Sequence, residues 1–170
     1  DVERTGEFRI TGLTGDVRVN TNNTIGIGNN FALGSGRLIF NGGGIRYDIG
    51  NNNYLASSIT LDNDIVLQGD WFTTAGNELV LNGNIAMSDV VGAGATRVWN
   101  LTGSGAMAVG LAAGSNTNGV ISGADGSNLI KRGAQQLALR GNSTFAGYTQ
   151  IDRGEIVVAG NVLPGQAGPL

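Results

Sequence analysis

Three aspartates stand close together in the chain, Asp62, Asp64 and Asp70. Two carboxylates at a defined separation are what glycoside hydrolysis requires, one as acid and one as base or nucleophile. Asp62 and Asp64 flank Asn63, so they share a strand face or a turn. Oxygen donors at this spacing also suit a hard cation such as calcium. The nonapeptide glycine–aspartate repeat of calcium-binding β-rolls is missing, which weakens that reading. The blander alternative is that all three are solvated turn residues before Ile65.

Other chemistry finds little to work with. The 170 residues contain no histidine and no cysteine. The commonest general base and metal ligand is therefore gone, and with it disulfides and thiolate metal sites. Ser104, Ser115 and Ser127 have no imidazole to activate them. Gly42-Gly43-Gly44 lacks the lysine and following helix of a phosphate loop and reads as a turn. Lys131-Arg132 is the densest basic spot and reads as a solvated strand edge. The net charge is −3 with ten scattered basic residues, which argues against nucleic acid as a partner. No catalytic, metal-binding or cofactor-binding residue is assigned, and no enzyme activity is expected.

The elements that must carry these residues are short. Thirty glycines, two prolines and nineteen asparagines imply many tight turns. Hydrophobic residues make up 41% and are regularly spaced, which argues for a folded core over disorder. They alternate with period two: Phe8 and Ile10; Ile25 and Ile27; Leu38 and Phe40; Leu79 and Leu81; Leu137 and Leu139; then Ile151, Ile156 and Val158. These thirteen residues are the predicted core. No window shows the period of an amphipathic helix, so the chain is expected to be all-β with no significant helix. Trp71, Phe72 and Trp99 either close the core or leave some exposed patch for a sugar or a partner. The most apolar region, 90–114, is broken by Arg97, Asn100 and many glycines and reads as strands and turns, so no membrane insertion is expected.

A sandwich, a barrel and a solenoid all suit strands recurring about every ten residues. An internal likeness between residues 2–36 and 130–168 favours the solenoid, because a globular sandwich has no reason to begin again at its end. In that alignment Phe8 and Ile10 fall on Leu137 and Leu139, Val19 on Ile151, and Ile25 and Ile27 on Ile156 and Val158. Residues 1–170 then read as one solenoid segment, a long repeat plus the start of the next. The abrupt beginning at Asp1 suggests a piece of something longer.

The run Leu129-Ile-Lys-Arg-Gly133, with Leu137, Leu139, Gly141-Asn142, Phe145, Gly147, Thr149, Ile151, Gly154 and Ile156, resembles the autotransporter-associated β-strand repeat. Gln136 replaces a usual threonine and Phe145 a usual tyrosine. The stretch Asn29–Asn41 is similar to that family's continuation. The resemblance implies a right-handed parallel β-helix, secreted and displayed on the bacterial cell surface as a structural or adhesive element. Rungs of roughly 20 residues would number about eight and span roughly 40 Å at about 4.8 Å per strand. The partners it implies are neighbouring repeats, identical subunits stacked end to end, or a host or cell-surface ligand. A self-assembling filament subunit and a β-helical polysaccharide-active enzyme are the alternatives.

Overall fold

The computed structural model describes residues 14–28, 30, 32–47, 58–88, 93–111 and 119–159. Phe8, Ile10, Ser115, Pro164, Pro169 and the outer parts of the 2–36 and 130–168 likeness lie outside them. The described residues are all-β, with sixteen strands and no helix. The strands form three sheets in which every ladder between strands is parallel.

The chain visits the three sheets in rotation. β1 (Val17–Asn20), β3 (Leu38–Asn41), β6 (Ile65–Leu67), β9 (Ile85–Ala86) and β12 (Ile121–Ser122) form the first sheet. β2 (Thr24–Gly26), β4 (Gly44–Tyr47), β7 (Trp71–Ala75), β10 (Thr96–Thr102), β13 (Asn128–Arg132) and β15 (Thr149–Ile151) form the second. β5 (Ser58–Leu61), β8 (Glu78–Leu81), β11 (Ala106–Val109), β14 (Gln136–Leu139) and β16 (Ile156–Val158) form the third. One pass through the sheets is a tier, and the six strands of the second sheet mark six tiers. The expected uniform rung of some 20 residues is found only in places. Ile65 pairs with Ile85, a step of 20, but Ile85 pairs with Ile121, a step of 36. Longer connections between strands use up the difference, so the described residues make six tiers where a uniform rung would make more.

All three sheets turn one face into a single core. Its columns run through the tiers in register: Ile59, Leu79, Met107 and Leu137 in one; Leu61, Leu81, Val109 and Leu139 beside it. Period-two side chains on parallel strands stack like on like, so every inward residue covers its counterpart. Of the predicted core, Ile27, Leu38, Phe40, Leu79, Leu81, Leu137 and Leu139 are buried. Ile25 and Ile156 are half-buried against the same cluster.

Ile151 and Val158 depart from expectation, at 51% and 46% exposed. Their register is inward, since Ile151 pairs with Lys131 and Val158 with Leu139. They sit on the last strand of their sheets, and no further described strand covers them. The alignment of 2–36 with 130–168 also crosses sheets. Val19 lies in the first sheet and Ile151 in the second, while Ile25 lies in the second and Ile156 in the third.

The outer face of the third sheet carries a second small cluster, Val80, Ala108 and Ala138. Arg140 Nη2 reaches Glu78 Oε1 at 2.7 Å, although the two residues are two tiers apart. Glu78 opens its strand and Arg140 follows the end of β14, so the diagonal between them crosses Ala108. The arginine stem shields this column, and only a small residue fits beneath it. Replacing Arg140 with alanine is expected to cost about 1 kcal/mol, part charge and part packing, read from urea denaturation. Ala108→Leu should cost at least as much, and a neutral result for both would mean the arginine does not lie across the column.

Candidate functional site

The Asp62, Asp64 and Asp70 side chains are exposed, and each has a structural partner. Asp62 Oδ1 accepts a hydrogen bond from Asn82 Nδ2 at 2.6 Å. Asp64 Oδ1 accepts one from the Asn84 backbone N–H at 2.8 Å, and Asp70 Oδ1 one from the Val98 N–H at 2.8 Å. Among the described residues no group of three or more acidic side chains stands close enough to hold a metal.

The arrangement belongs to a wider pattern. Asp16 Oδ1 accepts from Arg37 N–H, Asn30 Oδ1 from Thr60 N–H, and Asn128 Oδ1 from Tyr148 N–H. In each case a short Asx side chain at or beside a turn satisfies a backbone donor on another tier. Leaving such a donor unpaired costs about 1 kcal/mol or more. Asp and Asn are suited to it because their side-chain oxygen sits on Cγ, close to the backbone, and they favour turns. Asp70→Ala is therefore expected to lower stability by about 1 kcal/mol, while Asp70→Asn, which keeps the acceptor, is nearly neutral. Equal losses for both variants, compared by thermal denaturation, would point to the charge instead.

The richest cluster lies at the turn that joins the second sheet to the third. Four such turns stack on one another, at Ala75–Asn77, Gly103–Gly105, Gly133–Gln135 and Asp152–Glu155. Gly133 has φ +81°, and a β-carbon there would overlap the carbonyl oxygen of Leu101 in the tier below. Only glycine satisfies both the left-handed backbone and that close approach.

Lys131 is the departure from sequence reasoning. It was expected at a solvated edge, yet it is fully buried. It occupies the inward column of the second sheet, in register with Trp99 on one side and Ile151 on the other. Its Nζ donates to the carbonyl oxygens of Arg132 at 3.2 Å, Gly133 at 2.6 Å and Arg153 at 3.0 Å. An ammonium has three protons, and here each has an acceptor. The third acceptor belongs to the next turn, so the lysine ties two tiers together from inside. Burial pulls its pKa below the ordinary lysine value. Period-two alternation did place Lys131 inward, in line with Leu129. Its charge argued against taking that alternation literally.

Trp71 and Trp99 are core residues. Trp71 and Trp99 pack edge to face with ring centroids 5.2 Å apart, and Phe40 lies 5.3 Å from Trp71. Beside them Thr73 Oγ1 donates to Gln135 Oε1 at 3.3 Å in the buried interior. Phe72 points the other way. It is half-buried on the outer face of the second sheet, with its ring against Gly44.

Outside the stacked turns lies a shallow, open groove of about 440 Å³. Asn100 and Thr102 line one side, the 132–134 turn its floor, and Asp152 with Arg153 the other side. Arg132 Nε binds Asp152 Oδ2 at 2.8 Å, and Gln150 Nε2 binds the other oxygen of that carboxylate at 2.5 Å. The Arg132 guanidinium holds the Asp152 carboxyl below its usual range, with Gln150 helping. Asp152 is thus committed to partners. The Asn100 amide and the Arg153 guanidinium have none among the described residues.

Compared with family models, with curated proteins and with solved structures, the chain matches none.

Proposed function

We propose that this chain is a segment of a right-handed parallel β-helix that serves as a rigid repeat scaffold in an extracellular bacterial surface protein. The observation that carries the reading is the rotation of the chain through three parallel sheets with one shared core. A helical coil that stacks each turn on the last produces this order of strands. The stretch that resembles the autotransporter-associated repeat covers the last tiers. Its glycines Gly133 and Gly154 take positive φ at turns, and its Leu137 and Leu139 enter the core. The mechanism is mechanical: a stiff rod holds its surface at a distance and presents it many times over, with no bond chemistry.

The exposed Ile151 and Val158 favour stacking of further β-structure, from neighbouring repeats or a second copy, on the last tier. Size-exclusion chromatography and electron microscopy at several concentrations test this. Monomers that never elongate leave neighbouring repeats as the cover; concentration-dependent rods make the chain a filament subunit. The six described tiers span only about 25–30 Å at about 4.8 Å per strand, so stiffness along one axis belongs to the longer stack of the scaffold reading. Cleavage of a polysaccharide panel that is lost in Asp62→Asn or Asp64→Asn would replace it with the enzyme reading.

A further inference from the structure

We propose that the outer face of the second sheet binds an extended acidic polysaccharide, with Arg153 and Asn100 as its specific contacts. The inference rests on the surface-scaffold reading and names a ligand class for it. Phe72, Asn100 and Arg132 stand on three successive strands in direct register. Parallel strands lie about 4.8 Å apart, close to the rise of one sugar unit in an extended glycan. A column of this kind meets a linear polymer once per unit. The Phe72 ring, half-buried over Gly44, leaves part of one apolar face on which a sugar ring can pack. Asn100 brings both a donor and an acceptor for hydroxyl groups.

The sign of the ligand follows from the charges in the groove. Arg132 and Arg153 face one carboxylate, Asp152, whose oxygens are already taken by Arg132 and Gln150. One guanidinium is left over on a chain whose net charge is −3. A planar fork of donors at the rim of a groove suits a carboxylate, which it holds by two parallel bonds. At the floor of the groove the 132–134 turn offers Gly133 and Ala134, neither of which brings a long side chain into it. The groove is open along the column of tiers, so a polymer can lie across it without its ends being threaded.

The test uses the purified chain with polygalacturonate, its methyl-esterified form and polyphosphate as probes, measured by titration calorimetry. Polygalacturonate should bind, weakening as salt rises, while the esterified form binds at least about tenfold more weakly. Arg153→Ala should lower polygalacturonate affinity about tenfold, and Asn100→Ala should also weaken it. Arg18→Ala, which removes the same charge from the exposed β1 strand at the far end, should leave it unchanged. Circular dichroism of each variant confirms the sheet content, because Arg153 contributes only its carbonyl to the Lys131 contact. No binding, binding unaffected by Arg153→Ala, or polyphosphate bound as tightly as polygalacturonate overturns the proposal. A folded chain with no polygalacturonate affinity sinks this inference alone; a chain that cleaves the polymer, with the cleavage lost in Asp62→Asn or Asp64→Asn, sinks the scaffold.

Discussion

Leu139→Asp should abolish cooperative folding of the C-terminal tiers. Leu139 is 2% exposed and sits in a column between Val109 and Val158. Removing the leucine forfeits about 2–3 kcal/mol of apolar burial. The aspartate then brings a charge into a column where its neighbours are hydrocarbon, which adds several kcal/mol more. The sum is on the order of 5 kcal/mol, comparable with the whole stability of an ordinary domain. Val157→Asp supplies the comparison. Val157 faces outward on the adjacent strand and is 36% exposed, so it should lose well under about 1 kcal/mol. Thermal unfolding followed by circular dichroism reads both. Similar midpoints for the two variants would mean that the inward register of the third sheet is wrong.

Lys131→Met comes second in size. Methionine fills much of the same volume but donates nothing. The carbonyls of Arg132, Gly133 and Arg153 then face an apolar side chain. Charge-assisted bonds from the buried ammonium contribute about 1.5–3 kcal/mol each at most, and burying the charge takes back a share. The net expected loss is about 2–3 kcal/mol at neutral pH. The pH dependence separates this from simple packing. Burial holds the folded-state pKa of Lys131 below 10.5. Between that lowered value and 10.5 the unfolded chain binds more protons than the folded one. Stability therefore rises with pH across this window in the wild type. Lys131→Met has no such group, so the gap between the two proteins should widen as pH climbs toward 10.5. A gap independent of pH, in urea titrations from neutral to alkaline conditions, would show that the lysine keeps an ordinary proton affinity.

Period two carried much of the fold. Leu38 with Phe40, Leu79 with Leu81 and Leu137 with Leu139 were legible because each pair is short, apolar and bounded by Asn or Gly. What alternation cannot convey is which strand stacks on which. Phe72, Asn100 and Arg132 share one column, yet they are separated by 28 and then 32 residues. Connections of unequal length hide the repeat from any fixed spacing. That is also why the likeness of Val19 to Ile151 joined strands from two different sheets. Asp62, Asp64 and Asp70 looked like chemistry because the donors they serve, the Asn82 amide and the Asn84 and Val98 backbone N–H groups, lie about one tier away in sequence. Lys131 was misplaced for a related reason. Its acceptors are carbonyls, which every residue has and no residue type announces.

Two contacts bypass a tier. Arg140 reaches Glu78, and Gln135 reaches Thr73, in both cases passing over the strands between. Most stacked-repeat proteins behave as chains of nearest neighbours, so force applied along the stack would peel off one layer at a time. Here the third, fourth and fifth tiers are riveted across the middle one. Under tension from the C-terminal side the sixth tier should detach first, when the Lys131 bond to Arg153 gives way. The next three should then hold and rupture together. A single-molecule pulling trace would show a small early step followed by one larger event.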